Sequence, residues 1–267
     1  MSFGSAHAAS WGSDEAGEVY ERSRSGYPAR LAELLTGELG LGRSSVVADV
    51  AAGTGKFTRL LVDVTPSVIA VEPAPGMRRQ LHRAVPQASV VAAPAESLPF
   101  RSRSLDAVTA AQAFHWFRHG DALAEFARVL RPGGVVALIW NVDDPVLEAG
   151  AGPDGAGLAA AGLSAAVRAV CDRYERLRPR PAMRWRATLE QAPGWGPLGE
   201  VRVDGSERLD VDTLVERVAS RSFALLLQPA DQRALLAEVR ALAEPAAAPD
   251  GTVTIPTVTV MFWRCRT

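Results

Sequence analysis

Lysine is almost missing from this chain. Lys56 is the only one, so 28 of the 29 basic side chains are arginine, against 30 acidic ones. The formal net charge is -1, and no arginine cluster is dense enough for the basic face of a nucleic-acid binder, so no nucleic-acid partner is expected. Cysteine is equally scarce. Cys171 and Cys265 are too few for a disulfide framework, and a reducing, cytoplasmic setting is expected. With only four histidines beside them, no metal site is expected. No apolar run approaches the roughly 18 residues of a membrane span, so no membrane partner is expected. The first fifteen residues have neither a basic start nor an apolar core, which excludes a signal peptide among them. Abundant Ala, Pro and Gly beside so little lysine reads as the mark of a GC-rich genome rather than of a function.

With 48% hydrophobic residues in 267, there is ample material for one large domain or two small ones. The chain is organised around V-V-A-D-V-A-A-G-T-G-K-F-T, Val46–Thr58. Val46–Val50 reads as a buried parallel strand carrying one acid, Asp49. Ala51, Ala52, Gly53, Thr54 and Gly55 make a tight turn of small residues. Lys56–Val64 reads as a helix with Phe57, Leu60 and Leu61 on one side. Glycines let a backbone approach a ligand with no Cβ in the way, and the helix start offers unpaired N–H groups. A second acid, Glu72, ends the next apolar run about twenty residues after the glycines, the spacing of a ribose-hydroxyl acceptor at a neighbouring strand tip. The turn departs from the dinucleotide fingerprint G-x-G-x-x-G, because Thr58 stands at the third glycine. A nucleoside without phosphates fits it better than a pyrophosphate does.

Around that centre, residues 1–18 are small and polar and read as a loose arm. Val19–Pro28 reads as a packed strap or a ligand contact through Tyr20, Arg24 and Tyr27. Pro28 opens a helix with Leu31, Leu34, Leu35 and Leu39 as its stripe, ended by Gly40. Further strands are expected at Ser89–Ala93, Leu105–Ala111 and Val135–Trp140, with a helix at Asp121–Leu130 and a turn at Arg131–Gly134. Strands alternating with helices imply right-handed βαβ units, with the ligand above the C-terminal strand ends. From Asn141 the pattern changes. A Gly/Pro/Asp loop, Asp143–Asp154, precedes a long helix, Leu158–Leu177, and a Pro/Arg/Trp segment, Pro179–Pro197. A strand at Glu200–Arg208, helices at Asp210–Leu227 and Ala230–Leu242, an Ala-rich loop and a closing strand, Thr252–Cys265, complete the chain. Pro256 argues for an edge or a bulge in that last strand.

D-V-A-A-G-T-G-K-F-T, V-I-A-V-E-P, A-E-S-L-P-F, L-D-A-V-T-A-A-Q-A-F-H-W-F and R-V-L-R-P-G-G follow one another at natural spacings. Together they resemble a class I S-adenosylmethionine-dependent methyltransferase of the small-molecule, trans-aconitate-like branch, strongly over residues 19–140. The resemblance implies an α/β, Rossmann-like sheet of seven strands in the order 3-2-1-4-5-7-6, the last antiparallel. It implies one domain over 19–267, with a cofactor-binding core at 44–141 and a helical substrate cap inserted at about 143–198. The cofactor implied is S-adenosylmethionine. Asp49, Ala51, Gly53 and Gly55 would hold its methionyl part, Glu72 its ribose, Pro73 and Met77 its adenine face, and Ala95 and Glu96 the adenine edge. Ala111 and Gln112 would border the sulfonium, and Tyr20 and Arg24 would close over the ligand. Phe114, His115 and Trp116 would then face the acceptor, His115 either as a base or as a hydrogen-bonded wall residue. Arg221, in S-R-S-F, would bind a substrate carboxylate or sit on a helix surface.

The reaction implied is methyl transfer to O or N of a small organic acceptor, with a role in natural-product biosynthesis, by a monomer or homodimer. Transfer from a sulfonium needs alignment and exclusion of water more than acid–base chemistry. Three other readings stay open at this point. One is a protein of this fold that binds the cofactor without transfer, in a regulatory or cyclisation role. Another is an RNA or protein methyltransferase, and the last is a nicotinamide reductase.

Overall fold

The apolar runs around the glycine turn become a parallel sheet buried on both faces. The structure is a computed structural model and describes residues 14–142, 158–177, 185–221 and 223–267. β1 (Val46–Val50) is flanked by β2 (Ser67–Val71) and β4 (Leu105–Ala111), with β3 (Ser89–Val91) outside β2 and β5 (Leu130–Val142) outside β4. β6 (Gly199–Asp210) and β7 (Thr252–Cys265) complete seven strands in the order β3-β2-β1-β4-β5-β7-β6, with β7 antiparallel to both its neighbours. Near-continuous Val, Ala and Ile in β1, β2 and β4 is what a two-sided burial demands.

Helices follow from the same patterning. α1 (Asp14–Ser23), α2 (Arg30–Gly37), α3 (Lys56–Val64), α4 (Pro75–Ala84) and α5 (His119–Val129) belong to the first half. On one sheet face Leu31, Leu35, Phe57 and Leu61 pack against Val47, Ala137, Ile139 and Met261. On the other, Leu123, Phe126 and Phe114 pack against Val50, Val108, Val136 and Leu138. α6 (Leu158–Glu175), α8 (Val211–Ala219) and α9 (Pro229–Ala243) form a third core through Val167, Leu214, Val218, Leu235 and Val239 on Leu209, Val253 and Ile255. Val253 and Ile255 belong to a part of β7 that pairs with β6 but not with β5, because the β5 ladder stops at Val142 against Val258. Pro256 lies in that part, opposite Ser206, where one side of the strand needs no donor. No described helix is long and apolar enough to cross a membrane.

Four expectations change. The helix of the N-terminal strap starts at Asp14, inside the stretch read as a loose arm. Its buried Gly17 packs against α4, beside Gly76 and Gln80. Arg131–Gly134 is not a free turn before β5 but an excess of three residues within it, since Leu105 pairs with Leu130 and Ala107 with Val135. Gly133, at φ 78°, supplies the left-handed step the bulge needs. The Pro/Arg/Trp segment holds a helix, α7 (Trp185–Gln191). The helix expected over Asp210–Leu227 stops at Ala219 and resumes as a 3-10 turn at Ala224–Leu226, because the Ser220 hydroxyl donates to the Arg217 carbonyl, 2.9 Å away, in competition with the helix. The Asp143–Asp154 loop lies outside the described residues.

α7 is fixed by one buried arginine. Arg264 of β7 donates to the carbonyls of Leu189, Glu190, Ala192, Trp195 and Gly196, capping the end of α7. Arg264→Met would keep the stem and orphan those carbonyls. Chemical denaturation is expected to show a loss of about 2–4 kcal/mol; a loss under about 0.5 kcal/mol would contradict this role.

Candidate cofactor and acceptor site

At the tip of β1 the chain must leave a buried strand and enter a helix within a few residues. Two buried threonines and an acid hold that junction. Asp49, 1% exposed, accepts from the hydroxyl of Thr58 on α3 at 2.6 Å and from that of Thr109 on β4 at 2.9 Å. Thr58, which spoils the dinucleotide pattern, is therefore the tie between helix and sheet. Asp49 serves the turn; its two oxygens are engaged by threonines. Burial pushes its carboxyl up to about 6, against the two hydroxyl donors that favour the ionised form.

The turn itself divides its labour. Ala51 holds φ 56° and Gly53 φ 59°. A Cβ at Gly53 would meet nothing within 4 Å, so this glycine faces open space. Gly55, at φ 89°, is different. Its added Cβ would come within 2.9 Å of Val85 Cγ2 and 3.1 Å of Leu81 Cγ, so it serves the packing of α3 on α4.

Glu72, at the tip of β2, reaches back to this turn. One carboxylate oxygen accepts from the Gly53 N–H at 2.9 Å and the other from the Ala74 N–H at 2.8 Å. The residue is 6% exposed, and burial raises its pKa, partly offset by those two N–H groups and by Arg78. Each oxygen keeps a second lone pair, so the clamp leaves acceptor capacity beside the open face of Gly53. Pro73 is exposed next to it, while Met77 on α4 is buried. Ala95 is buried in the loop after β3. The neighbouring Glu96 accepts from the Arg118 N–H at 2.8 Å, tying that loop to the start of α5.

The tips of β4 and β5 meet alongside. Ala111 ends β4, and Gln112 takes φ 57°, a left-handed step uncommon outside glycine and asparagine. Its amide donates to the Asn141 carbonyl at 2.7 Å. The Asn141 side chain donates to the Gly26 carbonyl and accepts from the Thr259 hydroxyl, both at 2.7 Å. This asparagine therefore joins both strand tips, β7 and the N-terminal strap.

The aromatic segment after Gln112 splits. Phe114–Trp116 is a 3-10 turn, and Phe114 is fully buried, stacked on His119 with ring centroids 5.0 Å apart. It is core rather than the acceptor wall the sequence suggested, because the tight turn directs it under the sheet edge against Phe117 and His119. His115 and Trp116 stay half-buried on the outer side. His115 Nδ1 accepts from the Trp140 indole N–H at 3.3 Å.

α1 lies over the turn. Glu21 accepts from the Thr54 hydroxyl at 2.5 Å and pairs with Arg59 and, at 3.8 Å, with Lys56. Burial lowers the Lys56 pKa, with Glu21 acting against it. Tyr20 falls in this helix. Arg24, just beyond it, donates to the Ser220 carbonyl at 2.8 Å, which brings the strap to the segment that carries Arg221. Arg22 pairs with Glu216, and Arg217 donates to the Ser23 carbonyl. Sequence reasoning missed Glu21, Asn141 and Trp140. The polar end of a fifth strand at Asn141 was the one usable signal; Glu21 carried none.

The fold around these strand tips is shared with known proteins. Residues 48–138 match the family model described as a methyltransferase domain. A methyltransferase of Mycobacterium tuberculosis is 41% identical over 144 residues, 54% of each chain; this chain spans about half the length of the mycobacterial relatives it matches. A methyltransferase-like protein of Schizosaccharomyces pombe is 30% identical over 230 residues, 84% of this chain and 83% of the relative. Trans-aconitate 2-methyltransferase of Azoarcus is 31% identical over 172 residues, 61% and 68% respectively. A solved structure from Anaeromyxobacter dehalogenans shares the fold, with a TM-score of 0.62 at 24% identity over 91% of this chain and 97% of that one. The chain belongs to the S-adenosylmethionine-dependent methyltransferase family.

Asp49 makes a testable pH signature. Its folded pKa lies above the unfolded carboxylate value, so folding favours the neutral acid. Its contribution to stability is complete at low pH and falls as pH rises through about 6. Asp49→Asn removes that dependence. Between pH 5 and pH 8 the variant is expected to gain about 1–2 kcal/mol relative to the parent in unfolding experiments; a constant difference would contradict the assignment.

Proposed function

We propose that this protein transfers a methyl group from S-adenosylmethionine to O or N of a small organic molecule. The observation that carries this is Glu72, held by two backbone N–H groups at the second strand tip beside the open face of Gly53. That pairing suits a ribose with two hydroxyl donors. S-adenosylmethionine supplies, when bound, a methyl carbon already activated by a sulfonium. Gly53 and Ala51 would lie along its methionyl part, Glu72 on its ribose, Pro73, Met77, Ala95 and Glu96 about its adenine, and Ala111 and Gln112 near the sulfonium. Tyr20 and Arg24, on or just after α1, would close over the ligand.

The work left to the protein is alignment and exclusion of water. Half-buried His115, Trp116 and Trp140 form an aromatic margin to the strand tips, next to Gln112 and Asn141. The stretch from about residue 143 to 198 would act as the acceptor cap, and Arg221 would bind a substrate carboxylate. A relative named for trans-aconitate supports an organic acid among the acceptors. The near-neutral charge supports a small molecule rather than RNA. A cytoplasmic setting, a biosynthetic role and a monomer or homodimer complete the proposal. Ala51, which gave the non-catalytic reading its motive, adopts the left-handed backbone all the same.

Isothermal titration with S-adenosylmethionine is expected to give a Kd of micromolar order for the parent. Glu72→Ala should weaken it by about ten- to a hundredfold, the loss of a charged hydrogen-bond acceptor. Glu72→Gln, which can still hold part of the turn, should fall between. An unchanged Kd in a folded Glu72→Ala variant would contradict the proposal.

A further inference from the structure

The sheet ends at β3, and β3 takes a partner on one side only. Its Val91 carbonyl accepts from the Glu72 N–H of β2 at 3.0 Å. In a parallel ladder one residue turns both its N–H and its C=O to the neighbouring strand, and the next turns both away. The N–H and C=O of Val90 therefore face outward, where no described strand pairs with them. The same alternation carries on to Ala92. An edge of this kind is where a further chain can add as a strand. Beside it lies α4, and between the two runs an open groove of about 520 Å³. Pro75, Val90 and Ala92 give the groove its apolar lining, and Arg78, His82 and Arg83 of α4 give it positive charge. No acid lines it among the described residues. Arg78 Nη1 is held by the carbonyls of Glu72 at 2.8 Å and Pro73 at 2.6 Å. His82 and Arg83 are exposed and make no ion pair or hydrogen bond among the described residues.

The geometry points to this groove as the docking site of a protein partner that lays an acidic, extended segment along β3. Two separate features define that partner. The outward N–H and C=O of Val90 call for another peptide backbone, which adds to the edge as an eighth strand. The cationic flank of α4 sets the sign of its side chains. Alternate side chains of a strand share one face of the sheet. Asp or Glu at every second position would thus turn together toward α4, while the residues between them face the other way. A second copy of this chain is a poor occupant, because edge-to-edge pairing about a two-fold axis would set His82 and Arg83 against the same cations. A nucleic acid offers phosphates but nothing to continue the strand ladder. The groove uses residues apart from those of the candidate cofactor site. Arg78 nevertheless links the two, since it grips the backbone of Glu72 itself. The partner therefore docks beside the strand tips and leaves Glu72 and Gly53 to the cofactor.

Random peptides of about eight residues, enough for one strand, are panned against the full chain. Binders are expected to carry Asp or Glu at alternate positions. The best of them is made with a fluorophore, and its Kd is read by anisotropy. Replacing both His82 and Arg83 by Glu should weaken it about tenfold or more. Val90→Pro deletes the outward N–H while keeping an edge position that tolerates proline, and it should also cost about tenfold. Melting curves show whether each variant is folded. Methylating the peptide nitrogens that would face β3 puts the same question to the parent chain, and it should abolish binding whether or not Val90→Pro folds. A library that yields no binders, or binders without an acidic bias, overturns the inference. So does a Kd unmoved by the charge reversals in a folded variant. Loss with the charge reversals but none with the methylated peptide would mean an anion patch without strand addition. Displacement of the peptide by a duplex oligonucleotide at lower concentration than by unlabelled peptide would mean a nucleic-acid surface. Either result also overturns it.

Discussion

Everything near the candidate site depends on two carboxylates that fold the tip of β1 into shape. Asp49 pulls the first turn of α3 onto β4 through Thr58 and Thr109, and Glu72 clamps the Gly53 N–H from the neighbouring strand. Neither acid is free to wander, because each is buried and each accepts from donors fixed in regular structure. The glycine turn is thereby held open at Gly53 and closed at Gly55 by α4. Burial raises both pKa values, which is the electrostatic cost of the arrangement.

The strap extends this centre to the rest of the molecule. Glu21 binds α1 to the glycine turn, while Arg22, Arg24 and Ser23 bind it to α8. Asn141 joins the same strap to β5 and β7. The parallel half and the helical layer on β6 and β7 thus share a side chain network at the strand tips, where α/β sheets place their ligands. On the opposite flank, Arg264, Trp185 and Trp140 form a second route from β7 to His115.

What the sequence revealed was local. β1, α3, β4 and β7 have the bounds expected from their apolar runs, since a buried strand and an amphipathic helix write their periods directly into the chain. Glu72 was legible for a similar reason: an acid ending an apolar run has few roles. Contacts between distant segments were not legible. Glu21 meets Thr54 across 33 positions, Asn141 meets Gly26 across 115, and Arg264 meets Leu189 across 75. Phe-His-Trp-Phe has no period to show which ring turns inward, and only the 3-10 turn decides that Phe114 does. The halt of α8 at Ala219 was hidden because Ser220 competes with the helix through its own hydroxyl, an effect that the surrounding apolar pattern masks.

The central claim is that one carboxylate at the second strand tip receives a ribose. A crystal structure of the complex with S-adenosylhomocysteine measures it directly. The account predicts both ribose hydroxyls within hydrogen-bonding reach of Glu72, about 2.6–3.2 Å, above the open face of Gly53. A ribose bound elsewhere, with Glu72 still turned only to the Gly53 and Ala74 N–H groups, would contradict it.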